Sequence, residues 1–172
     1  MRLVILGAGR FGWQIEDIAA QSGQYAEICF LDDGSTDARV RGKCADFPAF
    51  ADGDTVFYVA FGDNELREKW NLALIAAGAP RATLIHRTAY VSPTATVGAG
   101  TAILPLACVG SYTAVGDGCI VNSGVSIDHD CTLGAYTHIL IGAVLRADNH
   151  LPPKTRIEAG QVLPRAAYPE KQ

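Results

Sequence analysis

The sequence predicts an α/β domain followed by a parallel β-helix, and two patterns in its 172 residues carry that prediction. Up to about residue 86, aliphatic runs alternate with stretches of helical spacing, which indicates a parallel sheet with helices on its faces. From Val91 to Leu163 every sixth residue is aliphatic, at thirteen positions without an insertion. A period of six is typical of a β-helix built from hexapeptides.

The α/β half is expected to contain four strands and two helices. Short aliphatic and aromatic runs predict the strands at residues 2–6, 27–31, 55–61 and 82–85. The first helix follows the sequence GAGRFG, and its apolar positions at helical spacing are Trp13, Ile15, Ile18 and Ala19. The second helix covers residues 64–77, with Gly78 as its C-terminal cap.

Two further positions of the hexapeptide show a preference. The fourth residue after each aliphatic is Ala, Thr, Cys or Val from Ala95 to Ala143, as an inward position near a corner requires. The residue directly after the aliphatic is often Gly, Asn or Asp, at Gly98, Gly110, Gly116, Asn122, Asp128 and Gly134. Since these residue types tolerate positive φ, we expect them to form the turns.

Twelve hexapeptides over residues 91–162 would make four coils with three faces each. The last coil and a half departs from the pattern, because Arg146, Pro152 and Glu158 replace the preferred turn residues. A β-sandwich would instead show period-two alternation with turns every 8–12 residues. That pattern is missing.

Composition describes a globular chain, with 49% apolar residues and a net charge of −4. Lys and Arg form no cluster, which argues against a nucleic-acid partner. No apolar run reaches the roughly 18 residues of a membrane span, and the short N-terminal run reads as a strand rather than a signal peptide. The spacing of the five cysteines matches no zinc site, so we expect free thiols in the cytoplasm and no metal.

Ionisable residues are concentrated at Asp128-His129-Asp130, with His138 nine residues on. Neutral imidazole, with an ordinary pKa of about 6.5, suits a general base. A neighbouring carboxylate fixes the tautomer and stabilises the imidazolium. From the residues alone, a catalytic pair and a solvated turn of the coil explain the triplet equally well. Asp128 itself is predicted to be a turn residue.

A second candidate site is the G-x-G-x-x-G of Gly7, Gly9 and Gly12, which allows a phosphate to approach a helix N-terminus. With Asp32 following 25 residues after Gly7, a dinucleotide-binding dehydrogenase is one interpretation. The α/β part ends near residue 86, however, which is too short for two mononucleotide-binding halves and a catalytic domain.

These motifs together resemble a known family. The GAGxxG loop, a strand ending in Leu-Asp-Asp, the segment FGDNELR and the repeat segment IDHDCTLGAYTH are similar to bacterial sugar acyltransferases of the sialic acid O-acetyltransferase (NeuD) and bacillosamine acetyltransferase (PglD) type. The resemblance runs from Leu3 to about Leu163. It implies a Rossmann-like domain over residues 1–88, a left-handed β-helix over residues 89–164 and a C-terminal tail over residues 165–172.

The resemblance also implies partners and an assembly. The β-helix would form a homotrimer whose active sites lie between neighbouring subunits. The N-terminal domain would hold a nucleotide-linked amino sugar, usually a UDP-sugar, and acetyl-CoA would lie in the groove between adjacent β-helices. The implied activity is acetyl transfer from acetyl-CoA to that sugar in surface glycan synthesis.

Residue roles follow from the same resemblance. His129 would be the general base, and Asp130 would raise its basicity. Relatives often carry Glu at this position, so the shorter Asp is expected to make a less direct contact. On the acetyl-CoA side the implied residues are His138, Ala159 and Asn122.

For the nucleotide sugar, the implied residues are Gly9, Arg10, Phe11, Asp32, Asp33 and Gly62. Arg10-Phe11 replaces the Gly-His pair that is common among relatives; Arg10 could pair with phosphate, and Phe11 could stack or pack. The chain ends at Gln172, about one coil before its relatives, which would alter how CoA is held. A trimer that binds sugar nucleotides without catalysis, or with impaired CoA binding, is therefore the alternative hypothesis.

Overall fold

The computed structural model describes residues 1–169, which form two compact units that meet in the sequence between Leu84 and Ile85. The predicted tail is described as far as residue 169, and its last three residues lie outside the described part. None of the helices in residues 1–169 has the length and apolar character of a membrane span.

The first unit is a three-stranded parallel sheet with the strand order β2-β1-β3. Its elements are β1 (Arg2–Leu6), α1 (Arg10–Ser22), β2 (Glu27–Leu31), a 3₁₀ segment (Cys44–Phe50), β3 (Thr55–Val59) and α2 (Asn64–Ala76). The central strand β1 is fully buried from Leu3 to Leu6, as its continuous aliphatic run requires. The helix caps follow local chemistry: the Asp63 carboxylate accepts from Leu66 N–H, and Gly78 follows α2 with φ +65°.

The fourth strand predicted for this sheet is wrong. Residues 80–82 make only a single bridge to the three-stranded sheet. Phe57 N–H donates to the Pro80 carbonyl oxygen, and Ala82 N–H donates to the Phe57 carbonyl oxygen. The next strand, β4 (Leu84–Ile85), pairs in a sheet of the β-helix instead. Ile85 lies six residues before Val91, so the hexapeptide frame starts one repeat earlier than the sequence pattern indicated.

The second unit is a left-handed parallel β-helix of two-residue strands that lie six residues apart. After β4 they are β5 (Tyr90–Val91), β6 (Thr96–Val97), β7 (Ala102–Ile103), β8 (Cys108–Val109), β9 (Ala114–Val115), β10 (Ile120–Val121), β11 (Ser126–Ile127), β12 (Thr132–Leu133), β13 (His138–Ile139), β14 (Val144–Leu145), β15 (His150–Leu151), β16 (Arg156–Ile157) and β17 (Val162–Leu163). Three sheets result, ordered β16-β13-β10-β7-β4, β17-β14-β11-β8-β5 and β15-β12-β9-β6. The strands continue through the last coil despite its altered turn residues.

Each strand stacks on the strand 18 residues away, so the inward aliphatics form ladders. In one sheet Val121 pairs with Ile103 and Ile139, and Ile139 pairs with Ile157. All four side chains are buried, and they belong to one continuous core of the β-helix. Burial of this aliphatic column stabilises the coil by about 25 cal/mol per Å² of apolar area.

The turns do not use the residue that the sequence pattern indicated. Positive φ occurs three residues after each aliphatic from position 100 to 166, at five glycines and at seven other residues: Leu106, Tyr112, Asp130, Asp148, Lys154, Tyr136 and Ala166. The glycines that directly follow the inward aliphatic residue are required for a different reason, namely lack of space for a Cβ. A Cβ on Gly110 would lie 2.7 Å from the carbonyl carbon of Asp128 in the next coil. Close approach of successive coils therefore selects glycine there, and Asp128 is not a positive-φ turn residue.

Candidate active site

His129 lies in the turn between β11 and β12, which we call the His129 turn (residues 128–131). Its Nδ1 is 2.7 Å from Oδ2 of Asp130. The less direct contact expected from the shorter Asp side chain is therefore wrong, because the two side chains are within hydrogen-bond distance. Asp130 has φ +55°, and in this left-handed conformation its carboxylate reaches back to the preceding ring.

The contact with Asp130 fixes the state of the imidazole. An ionised carboxylate only accepts hydrogen bonds, so the neutral ring carries its hydrogen on Nδ1 and keeps a lone pair on Nε2. The hydrogen bond to Asp130 raises the pKa of His129; desolvation opposes the shift, and the charges of Asp128, Asp130 and Asp148 add to it. The side chain of His129 remains half exposed.

Two further carboxylates lie close to the ring. Asp128 Oδ1 accepts from the His129 backbone N–H at 2.9 Å and is 3.9 Å from Nε2, which is too far for a hydrogen bond. Asp148 occupies the equivalent turn one coil further, and its N–H faces the His129 carbonyl at 3.4 Å. The Asp148 carboxylate accepts from Arg165 Nε at 2.6 Å, so part of its charge is compensated.

A groove of ≈ 340 Å³ is lined by His129 and by residues of three successive coils. Its floor is formed by the outward residues of β8, β11 and β14, namely Cys108, Ser126 and Val144. Ser111, His129 and Arg146 line one side. The general base candidate therefore lines an open groove of mixed polarity. Cys108, Ser126 and Arg146 gave no signal in the sequence beyond their place in the hexapeptide frame.

The three residues predicted on the acetyl-CoA side lie elsewhere on the β-helix. His138 is a buried residue of β13, in a different sheet from the one that carries β11. Asn122 and Ala159 lie in the turns that follow β10 and β16 of that same sheet. Asn122 Oδ1 accepts from Ser123 N–H at 2.7 Å, and Ala159 is exposed. Within one chain, the structure separates this group from the His129 turn.

In the first unit, the candidate substrate residues lie in loops at the carboxyl ends of parallel strands. Gly9 is the N-cap of α1, Arg10 is exposed as its first residue, and Phe11 is half-buried. Gly12 permits the tight turn, because a Cβ there would lie 2.1 Å from the Gly7 carbonyl oxygen. Free backbone N–H groups at such a helix start are suited to phosphate.

The two acids after β2 are engaged by the backbone. Asp32 accepts from Ala8 N–H at 2.8 Å through one oxygen and from Gly34 and Ser35 N–H through the other. Burial would raise the pKa of Asp32, but these three donors outweigh it and lower the pKa. Asp33 is exposed, and its Oδ1 accepts from Cys44 N–H at 2.9 Å. Asp32 thus ties the phosphate-type loop after β1 to the loop after β2.

The loop that contains Gly62 is held by a residue that sequence reasoning missed. Arg67 of α2 is fully buried, and its Nη1 donates to the carbonyl oxygens of Phe61 at 2.9 Å and Gly62 at 3.3 Å. Its Nη2 donates to Asn64 Oδ1 at 2.7 Å. The signal was present in FGDNELR, where a charged residue occupies an inward helical position.

Comparison with known proteins agrees with both units. Residues 2–74 match the model of the PglD N-terminal domain family. The acetyltransferase domain of PglB from Neisseria gonorrhoeae FA1090, solved alone and with acetyl coenzyme A, is 34% identical with a TM-score of 0.91, over 95% of this chain and 82% of that chain.

PerB from Caulobacter crescentus, solved with CoA and GDP-perosamine, is 25% identical with a TM-score of 0.82, over 99% of this chain and 92% of that chain. The two solved structures match over 95% and 99% of this chain, so each match includes both of its units. The chain therefore belongs to the hexapeptide-repeat sugar acetyltransferases with a PglD-type N-terminal domain.

Proposed function

We propose that this enzyme transfers the acetyl group of acetyl-CoA to an amino or hydroxyl group of a nucleotide-linked sugar, with His129 as general base. The observation that carries the proposal is the 2.7 Å contact between His129 and Asp130 beside an open groove that His129 lines. The relatives bound to acetyl coenzyme A and to CoA with GDP-perosamine support the two substrate classes.

The chemistry follows from the state of the ring. His129 Nε2 accepts the proton of the attacking amine or hydroxyl as that atom bonds to the thioester carbonyl carbon. The C–S bond then breaks, and the sulfur leaves with the electron pair. The imidazolium returns the proton to sulfur, so the products are the CoA thiol and the acetylated sugar. Asp130 stabilises the imidazolium between these two steps.

The nucleotide part of the sugar is assigned to the loops of the first unit. The start of α1 at Gly9 and Arg10 offers N–H groups and a cation to a diphosphate. The exposed carboxylate of Asp33 can accept from the N–H and O–H groups of a base and ribose, and Phe11 and Gly62 lie in the flanking loops. We propose a UDP-linked amino sugar destined for surface glycans as the substrate, with a GDP-linked sugar as the comparison compound. The free cysteines fit a cytoplasmic enzyme.

A homotrimer through the β-helix is part of the proposal. Tyr90, Leu106, Ile141 and Val162 are apolar, more than half exposed, and lie on or beside the sheet that forms the groove floor. A neighbouring chain packed there would cover these side chains. It would also bring towards the His129 groove its own sheet of β10, β13 and β16, on or beside which His138, Asn122 and Ala159 lie. Light scattering should give three times the 18.2 kDa chain mass, and a monomer would contradict this part.

Thiol release with acetyl-CoA and a panel of UDP- and GDP-linked amino sugars tests the activity. Replacement of His129 by Asn keeps the size of the side chain but removes the base, so kcat should fall by about 10²–10⁴-fold. The matched control is His150→Ala, since His150 lies on another face of the coil. A His129→Asn enzyme with the wild-type rate would refute the base, and sugar-nucleotide binding without thiol release would identify a non-catalytic binder.

A further inference from the structure

Thr113 is a buried polar residue directly beneath the His129 turn. Its Oγ1 donates to the carbonyl oxygen of Asp128 at 2.8 Å and accepts from the backbone N–H of Cys131 at 3.3 Å. Asp128 and Cys131 are the first and last residues of that turn. One interior hydroxyl therefore bridges the two ends of the four-residue segment that contains both His129 and Asp130.

Within the turn, the backbone of His129 makes the longest bond to a neighbouring coil. Asp130 N–H donates to the Ser111 carbonyl at 2.9 Å, whereas the His129 carbonyl meets its backbone donor, Asp148 N–H, at 3.4 Å. The His129 N–H donates to the exposed side chain of Asp128 rather than to the backbone of the next coil. The backbone of His129 is therefore held mainly through the neighbouring residues of the turn, and Thr113 bonds to two of them.

We propose that Thr113 is a positioning residue for His129. Its hydroxyl fixes the separation and orientation of the ends of the His129 turn, which keeps Asp130 in the left-handed conformation and the ring in contact with its carboxylate. Nε2 is thereby aimed into the groove. This inference rests on the proposed function, in which His129 is the general base.

The chain contains a matched control at another edge of the β-helix. Thr101 is equally buried; its Oγ1 donates to the Gly116 carbonyl at 2.8 Å and accepts from Cys119 N–H at 2.9 Å. The residue offsets of both bonds are the same as those of Thr113. The turn that Thr101 bridges, residues 116–119, contains no residue assigned to the reaction. A loss that is due to stability alone must therefore affect the two sites alike.

The experiment compares Thr113→Val, Thr101→Val and Thr113→Ser in the full-length enzyme. Each valine leaves a buried carbonyl and N–H without their hydroxyl partner, and both variants should melt about 2–8 °C lower. Only Thr113→Val should lose kcat, by about 10–100-fold, with KM for acetyl-CoA within about twofold of wild type. Thr113→Ser, which keeps the hydroxyl, should recover most of the rate.

Titration of the His129 ring by NMR provides a readout that needs no turnover. The charged groups around the ring are Asp128 and Asp130 of its own turn, Asp148 of the next coil with its partner Arg165 of the coil after that, and Arg146 of the groove. If Thr113 holds the ring against Asp130, Thr113→Val should lower the pKa of His129, whereas Thr101→Val should leave that pKa unchanged. This measurement remains informative even if the tested sugars are not substrates, which separates failure of this inference from failure of the proposed function.

Equal losses of kcat in the two valine variants, together with an unchanged His129 titration, would overturn the inference. Should Thr113→Val not fold, Thr113→Ala and Thr113→Ser are compared instead: the inference requires only Ser to retain both the wild-type titration and the rate.

Discussion

The carboxylate of Asp130 contacts the imidazole of its direct neighbour His129 at 2.7 Å, and the backbone geometry of the coil makes this contact possible. Residue 130 is one of twelve consecutive turn positions with positive φ, and glycine occupies five of them. Asp tolerates that conformation better than most residues with a side chain. The repeat thus supplies, at one of its turns, the conformation that joins base and carboxylate.

The first prediction concerns pH. The hydrogen bond to Asp130 raises the pKa of His129, and a general base works only when deprotonated. The rate should therefore fall as pH drops through this raised pKa. Asp130→Asn removes the charge and lowers the pKa, so the acid limb of kcat/KM should move to lower pH while the plateau rate drops. The measurement is kcat/KM between about pH 5 and 9.

Asp128→Asn is the control for that shift. Asp128 adds only through its charge, 3.9 Å from Nε2, so its variant should move the acid limb less than Asp130→Asn. Equal shifts in the two variants would mean that the ring contact with Asp130 has no special role.

The second prediction separates stability from activity at the same turn. Glycine adopts positive φ without the cost of about 1–2 kcal/mol that a Cβ imposes, but it loses roughly 0.5–1 kcal/mol through backbone entropy. Asp130→Gly and Lys154→Gly, both at positive φ, should therefore change the free energy of unfolding by no more than about 1 kcal/mol. Only Asp130→Gly should lose activity. Urea unfolding and thiol release measure the two effects, and an active Asp130→Gly enzyme would exclude Asp130 from catalysis.

The period of the coil could be predicted from sequence because every sixth position must be aliphatic to fill the core. The turn conformation could not, because glycine is selected at two positions for different reasons. Gly110 avoids a collision with the next coil, while Gly124 adopts positive φ in open space. At the true turn position, residues such as Leu106 and Tyr112 give no sign of left-handed φ.

The candidate site likewise contains residues that could be predicted from the sequence and one that could not. His129 and Asp130 are recognisable because charged residues and histidines are rare in the repeat before Arg146. Thr113 is not recognisable in the sequence. It lies 16 residues before His129 at the small-residue position of its hexapeptide, where Thr is an ordinary core residue of the repeat. Its role depends on which backbone atoms the next coil places above it, and a linear pattern does not contain that information.

The third prediction concerns the loops of the first unit. Both carboxylate oxygens of Asp32 accept hydrogen bonds from backbone N–H groups. In an Asp32→Asn variant, the side-chain NH₂ group would replace one of these acceptors and would point at an N–H donor. Asp32→Asn should therefore loosen the loop after β1 and raise KM for the nucleotide sugar by about tenfold, with a smaller effect on kcat. Asp17→Asn, at an exposed position of α1, is the control. Isothermal calorimetry with the nucleotide alone checks the same loss, and unchanged binding would show that Asp32 does not organise the site.

The fourth prediction uses the close approach of successive coils. A Cβ on Gly110 would lie 2.7 Å from the Asp128 carbonyl carbon and 2.9 Å from the His129 nitrogen, whereas a Cβ on Gly116 would lie 2.8 Å from Ala135 N. Both alanine variants should lose about 1–3 kcal/mol of unfolding free energy, because the neighbouring backbone must move. Only Gly110→Ala displaces the His129 turn, so it should lose far more kcat than Gly116→Ala at equal stability. Denaturant unfolding matched with single-turnover acetyl transfer tests this, and a parallel decline in both variants would show that the position of the turn does not limit the reaction.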